Sequence, residues 1–179
     1  MGLDMFLTKI VYVGAQYSHN NISGDIEVYK TKASGEKVRL DHGIKKLAEL
    51  KYAAMYWRKA NQIHNWFVVN VQDGVDNGTS HEVSADQLKD LLSLCIDVRN
   101  VLDKYKQDTE DEIKFNLGNI TPEDKIILDL LPPVRGFFFG NYDINSWYYN
   151  DIVDTIEYLE SEDLDSDNFD VYWEYISSW

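Results

Sequence analysis

From Gly136 to Trp179 the chain carries eleven Asp and Glu side chains and not one Lys or Arg. The preceding residues are close to balance, with 20 acids against 17 bases, so this last quarter supplies most of the formal net charge of -14. A helix from about Ser146 places Tyr149, Ile152, Ile156 and Leu159 on one face and turns Asp151, Asp154 and Glu157 the other way. Beyond it, Glu160 to Trp179 alternates acids with Leu164, Phe169, Tyr172, Trp173, Ile176 and Trp179. A one-sided negative field repels nucleic acid and membrane surfaces and attracts basic grooves, above all those built for DNA or RNA backbones.

The rest of the chain has the material for a core. Hydrophobic residues make up 44% and aromatic residues 13% of 179 positions, which suits one domain over residues 1–179 with an acidic, aromatic-rich C-terminal segment over 141–179. Leu3, Met5 and Leu7 alternate and run into Ile10-Val11-Tyr12-Val13, which predicts a first strand. Ser18 to Gly24 reads as a turn, Ile26, Val28 and Tyr29 as a second strand, and Val38 with Leu40 as a third, so that a small antiparallel N-terminal meander is expected. From Ile44 to about Val71 there is no Pro or Gly, and Leu47, Leu50, Ala54, Trp57, Ala60, Ile63 and Phe67 recur at helical spacing. Ser84-Ala85-Asp86-Gln87 is a capping box opening a helix with the stripe Leu88, Leu91, Leu92, Cys95, Val98 and Leu102. Asp103 to Gly118 reads as an exposed loop or frayed helix end, and Thr121-Pro122 starts a short helix that Pro132-Pro133 stops. Gly136 to Gly140 reads as a short aromatic strand or core segment. The fold class is α+β: a small antiparallel sheet packed with several helices.

One segment is too particular to be generic helix: Tyr56-Trp57-Arg58-Lys59-Ala60-Asn61-Gln62-Ile63-His64-Asn65-Trp66-Phe67. With Met1-Gly2-Leu3-Asp4-Met5, Val83-Ser84 before Gln87-Leu88, and Gly136-Phe137-Phe138-Phe139-Gly140, it resembles a family of small proteins encoded by phages and prophages of Gram-positive bacteria. The resemblance covers most of the chain in the same order. Relatives often have a Cys shortly after the paired acids near Asp76, where this chain reads Asn77-Gly78-Thr79-Ser80-His81.

His64 shares a helical face with Trp57, Ala60 and Phe67, so its ring nitrogens need buried partners. Those partners are backbone or a carboxylate such as Asp4, or else a metal ion. The metal reading gathers His64, His81 and Cys95 as ligands of a structural zinc, with Asp4, Asp73 or Asp76 as an oxygen donor. No pair has the two-to-four-residue spacing of a zinc knuckle. Other chemistries lack their signatures. There is no Gly-x-Ser-x-Gly elbow and no phosphate-binding Gly-x-x-x-x-Gly-Lys loop, and Cys95 lies on an apolar stripe with no adjacent base. One cysteine excludes an internal disulfide and points to a reducing compartment, and the N-terminus reads neither as a signal peptide nor as a membrane span.

The phage context implied by the resemblance, joined to the charge, leads to one expectation. The chain is a non-enzymatic anti-defence protein of the host cytoplasm, an anti-CRISPR that binds a type II RNA-guided effector nuclease and keeps target DNA from loading. Asp151, Asp154, Glu157, Asp163, Asp165 and Asp167 are its expected partner-binding residues. A metal-dependent enzyme or nucleotide-processing protein using the His64 region is the alternative.

Overall fold

The computed structural model describes residues 2–13, 27, 29–40, 48–108, 112–136, 139–166 and 170–179. In chain order the strands and helices are β1 (Asp4–Tyr12), β2 (Tyr29–Thr31), β3 (Lys37–Arg39), β4 (Glu49–Arg58), α1 (Asn61–Asn70), β5 (His81–Val83), α2 (Ala85–Tyr105), β6 (Lys106–Asp108), β7 (Ile113–Phe115), α3 (Pro122–Leu128), α4 (Ser146–Ser161) and β8 (Val171–Ser178). The fold is α+β. Its main sheet is antiparallel, with the order β4-β1-β8-β5.

The sheet differs from the expected N-terminal meander. β2 and β3 form a separate two-stranded hairpin, closed at Gly35 with φ +84°, and the second centre strand of the main sheet comes from the acidic tail. β8 runs antiparallel to β1 from Asp4↔Ser178 to Val11↔Val171 and takes β5 on its other side. Ile26, Val28, the Ser18 to Gly24 turn and residues 44–47 lie outside the described residues, as do Phe137, Phe138, Asp167 and Phe169.

The long helix expected up to Val71 is also corrected. Residues 49–58 are strand β4, paired with β1 from Asp4↔Arg58 to Tyr12↔Glu49, and only Asn61–Asn70 is helix. Tyr52, Tyr56 and Trp57 are aromatics suited to a pleated surface. The register slips between Leu7 and Thr8, which leaves Ala54 as the extra residue of a β-bulge. The switch from strand to helix needs no Pro or Gly because Lys59 itself takes the left-handed conformation, φ +63°. Asp103 to Gly118, expected as loop or frayed helix, contains the β6–β7 hairpin.

Other elements follow the sequence closely. Ser84 and Gln87 form both halves of the capping box on α2, and Thr121 caps α3 with Pro122 in its first turn. Leu88, Leu91, Cys95, Val98 and Leu102 of α2 are buried with Ile152, Ile156 and Leu159 of α4 and Met5, Leu7, Trp173 and Tyr175 of the sheet in one hydrophobic cluster. No helix among the described residues is long and apolar enough to cross a membrane.

Phe67 sits at the centre of this packing. Its ring stacks on Tyr175 with centroids 3.9 Å apart and an interplanar angle of 6°, and it contacts Trp57 and Trp66 at 5.8 and 5.2 Å. Phe67→Ala should therefore cost about 3–5 kcal/mol in urea unfolding. Ile126→Ala, on a side chain 65% exposed, should stay within about 0.5 kcal/mol of wild type.

Candidate functional site

The long aromatic-rich motif serves two places at once. Its second half enters the core, where His64 is 1% exposed and both ring nitrogens are engaged. Nε2 lies 3.0 Å from Asp76 Oδ2 and Nδ1 lies 2.8 Å from the Tyr175 hydroxyl. A carboxylate can only accept, so Nε2 carries a proton, and in the neutral imidazole Nδ1 then accepts from the Tyr175 O–H. Burial and the neighbouring Asp76 charge push the Tyr175 phenol well above its ordinary value, which keeps that proton in place. The result is a line from the loop after α1 through His64 to β8. It ends on a phenol with no exposed surface, so its evident work is structural.

The four expected zinc ligands each have other surroundings. Asp4 accepts a hydrogen bond from the Tyr56 hydroxyl, not from His64. His81 opens β5, with Nε2 2.9 Å from Thr79 Oγ1. Cys95 is buried in the apolar cluster, where desolvation pushes its thiol up to about 12. Among the described residues no group of three or more His, Cys, Asp or Glu side chains is placed to hold a metal ion. A zinc on His64 would have to displace Tyr175 or Asp76. The expectation is settled by metal analysis of protein isolated without chelators: the four-ligand reading requires about one zinc per chain, lost in Cys95→Ser.

The first half of the motif builds a cavity. Arg58, Lys59 and Gln62 line it together with Asn141 from the loop before α4 and Trp147 and Asp151 from α4 itself, and its volume is about 400 Å³. Asn61, 2% exposed, holds the walls together. Its Nδ2 donates to the carbonyls of Phe139 and Asn141 at 3.1 and 2.9 Å, and its Oδ1 accepts from Val134 N at 2.8 Å. One buried amide thus joins the long motif to the Gly136–Gly140 motif. The approach is close: at Gly140, φ +87°, a Cβ would lie 3.1 Å from Lys59 Cβ, so a side chain there would be both strained and crowded. Lys59 is held in its left-handed conformation by its own N–H donating to Leu3 O at 2.8 Å. Non-glycine residues in that region are strained, and such strain concentrates at functional sites. A larger cleft of about 590 Å³ lies at the start of α2, but its cations are already paired. Lys89 meets Asp86 and Asp165 at 3.3 and 3.0 Å, and Lys9 meets Glu162.

The expected acidic face of α4 is corrected at one position. Asp154 and Glu157 are exposed, whereas Asp151 is partly buried in the cavity wall, where its Oδ2 accepts from Gln62 Nε2 at 3.1 Å. Steps of three residues drift round the helix, and Asp151 falls where the drift meets α1. Asp163 and Asp165 are exposed after the helix, and Asp167 lies outside the described residues. Sequence reasoning missed Asn61, Gln62 and Trp147 as site residues. The signal for the first two was present, since a helix start with consecutive polar residues on its buried side needs internal partners. Trp147, 77% exposed, had no such signal.

Scans of protein-family models, of curated proteins and of solved structures found no match to this chain.

Burial, and to a lesser degree the Asp154 charge, raises the Asp151 carboxyl from 3.8 to about 7 against the opposing hydrogen bond from Gln62. A folded-state value above the unfolded one means that its stability contribution is complete below about pH 4 and is lost as pH rises through about 7. Asp151→Asn keeps an acceptor for Gln62 and cannot ionise. It should match wild type near pH 4 and exceed it by on the order of 1–3 kcal/mol at pH 8, read from urea unfolding at the two pH values.

Proposed function

We propose that this protein is a phage-encoded anti-defence protein, an anti-CRISPR that binds a type II RNA-guided effector nuclease in the host cytoplasm and blocks loading of target DNA. It acts by occupation, without catalysis. The observation that carries this reading is the outer face of α4. Trp147, Asn150, Asp154, Glu157 and Ser161 follow one another at helical spacing, and all five are exposed. Neither Asp154 nor Glu157 has an ion pair among the described residues, and no Lys or Arg follows Arg135 in the chain.

Unpaired like charges on one helix face weaken a fold slightly, so a basic partner accounts for them better than the protein's own stability does. Exposed tryptophan is the residue type most often found as an interface anchor. Acid and indole divide the work: the charges speed capture by a basic groove, and the buried ring holds the complex. Asp163 and Asp165 continue the negative surface past the end of α4, although Asp165 is partly neutralised by Lys89.

Titrating the effector nuclease with the protein tests the class. Cleavage of target DNA should stop near one inhibitor per nuclease. Inhibition at a small fraction of that ratio would mean turnover, and with it the enzyme reading. Asp154→Asn with Glu157→Gln should slow association several-fold at low salt and flatten its salt dependence, while Trp147→Ala should speed dissociation by about ten- to a hundredfold. Variants that bind like wild type at low salt would remove this face from the interface.

A further inference from the structure

Neither the core nor the outer face of α4 makes use of the β2–β3 hairpin. No residue from Tyr29 to Leu40 belongs to the hydrophobic cluster or packs against it. All nine residues from Tyr29 to Lys37 are exposed, so both faces of the ribbon stand in water. The hairpin is nonetheless well formed. Gly35 N–H donates to Lys32 O and Lys32 N–H to Glu36 O, each at 2.9 Å, and Lys32 Nζ meets Glu36 across the loop at 2.9 Å. At its base the Tyr29 hydroxyl donates to Glu27 at 2.8 Å and Arg39 pairs with Glu27 at 2.6 Å.

Its charge is opposite to that of the chain. Residues 29–40 hold four cations, Lys30, Lys32, Lys37 and Arg39, and one acid, Glu36, in a protein of net charge -14. Side chains alternate along a strand, and Tyr29↔Arg39 and Thr31↔Lys37 are direct pairs. Lys37 and Arg39 therefore share one face, and Lys30 and Lys32 share the other. Lys30 and Lys37, one on each face, have no ion pair among the described residues. We propose that this hairpin binds double-stranded DNA, entering the major groove with its lysines against the phosphates on either side.

Cations on both faces of a ribbon match anions that flank it on both sides. A duplex groove provides that arrangement, and a single strand or a flat acidic surface does not. The major groove of B-form DNA, about 12 Å wide, admits a two-stranded β-ribbon, whereas that of A-form RNA is deep and narrow. The unpaired cations are lysines, which meet phosphates as point charges, so the binding is to the backbone and independent of sequence. The acidic body does not forbid the approach. Five residues of strand reach about 16 Å, twice the screening length of about 8 Å at physiological salt, so the tip meets DNA largely outside the negative field. This activity goes beyond the inhibitor reading, which rests on α4.

Titration of the isotope-labelled full chain with a short DNA duplex, followed by amide chemical shifts, tests this. In about 0.1 M salt the shifts should move within residues 29–40, with a Kd of about 0.1–1 mM, at the weak end of non-specific binding. Log affinity should fall against log salt with a slope of about -2 to -4, as two to four phosphate contacts require. Lys30→Gln with Lys37→Gln should weaken binding by about tenfold or more and flatten that slope by about 2. Both side chains are exposed, so the spectrum outside the hairpin should not change. No shifts in the hairpin at millimolar duplex, equal binding of an RNA duplex or of polyglutamate, or a double variant that binds like wild type would each overturn the proposal. No nuclease enters the experiment, so this proposal and the inhibitor reading can fail separately.

Discussion

The interaction on which most of this structure depends is the seating of Tyr175. Its ring lies flat on Phe67 and its hydroxyl reaches His64, so one side chain of β8 is clamped by α1 from above while its backbone is paired with β1 and β5 on either side. Remove that clamp and the sheet loses a centre strand, leaving β5 without β8, its one neighbour among the described residues. The polar line through His64 to Asp76 extends the same clamp to the loop after α1. A buried histidine with two partners discriminates between registers of β8, because a slip of one residue would put a backbone or an apolar group where the phenol must be.

The long motif is legible once both of its duties are seen together. Ala60, Ile63 and Phe67 serve the core, and Arg58, Lys59, Asn61 and Gln62 serve the cavity. The strand-to-helix junction at Lys59 separates the two sets. Asn61 then accounts for the pairing of the two motifs in sequence, since the carbonyls it binds belong to Phe139 and Asn141. A substitution in either motif is thus felt in the other, and the cavity is built on packed elements more than on loop conformation.

What was readable from residues alone was whatever had local causes. The capping box at Ser84 and the proline start at Pro122 are decided within a few positions, and the apolar stripes of α2 and α4 have a single period. β4 reads as helix because Leu50, Ala54 and Trp57 also fit a helical spacing, and the choice between periods is made by β1, which ends 37 residues before β4 begins. β8 hid among acids. Trp173, Tyr175 and Ser177 do alternate inward, but charge dominates the segment, and the partner that gives the alternation its meaning is at the other end of the chain. Asp151 shows the same limit at the site: its helix was legible, but the neighbour that buries it, Gln62 on α1, was not.

Because β8 lies between β1 and β5 yet follows both in the chain, this sheet cannot be completed in the order in which it is synthesised. Until residues 171–178 leave the ribosome, β1 and β5 both lack the neighbour that β8 supplies. Closing a loop of more than 150 residues between β1 and β8 gives the fold a high contact order and a slow final step. Nascent chains with open strand edges are prone to pair with each other. Here the helices α1 and α2 can gather the apolar residues before the last strand arrives. The excess of negative charge arrives with the last quarter of the chain, so charge repulsion between neighbouring chains becomes strong only when synthesis is nearly complete.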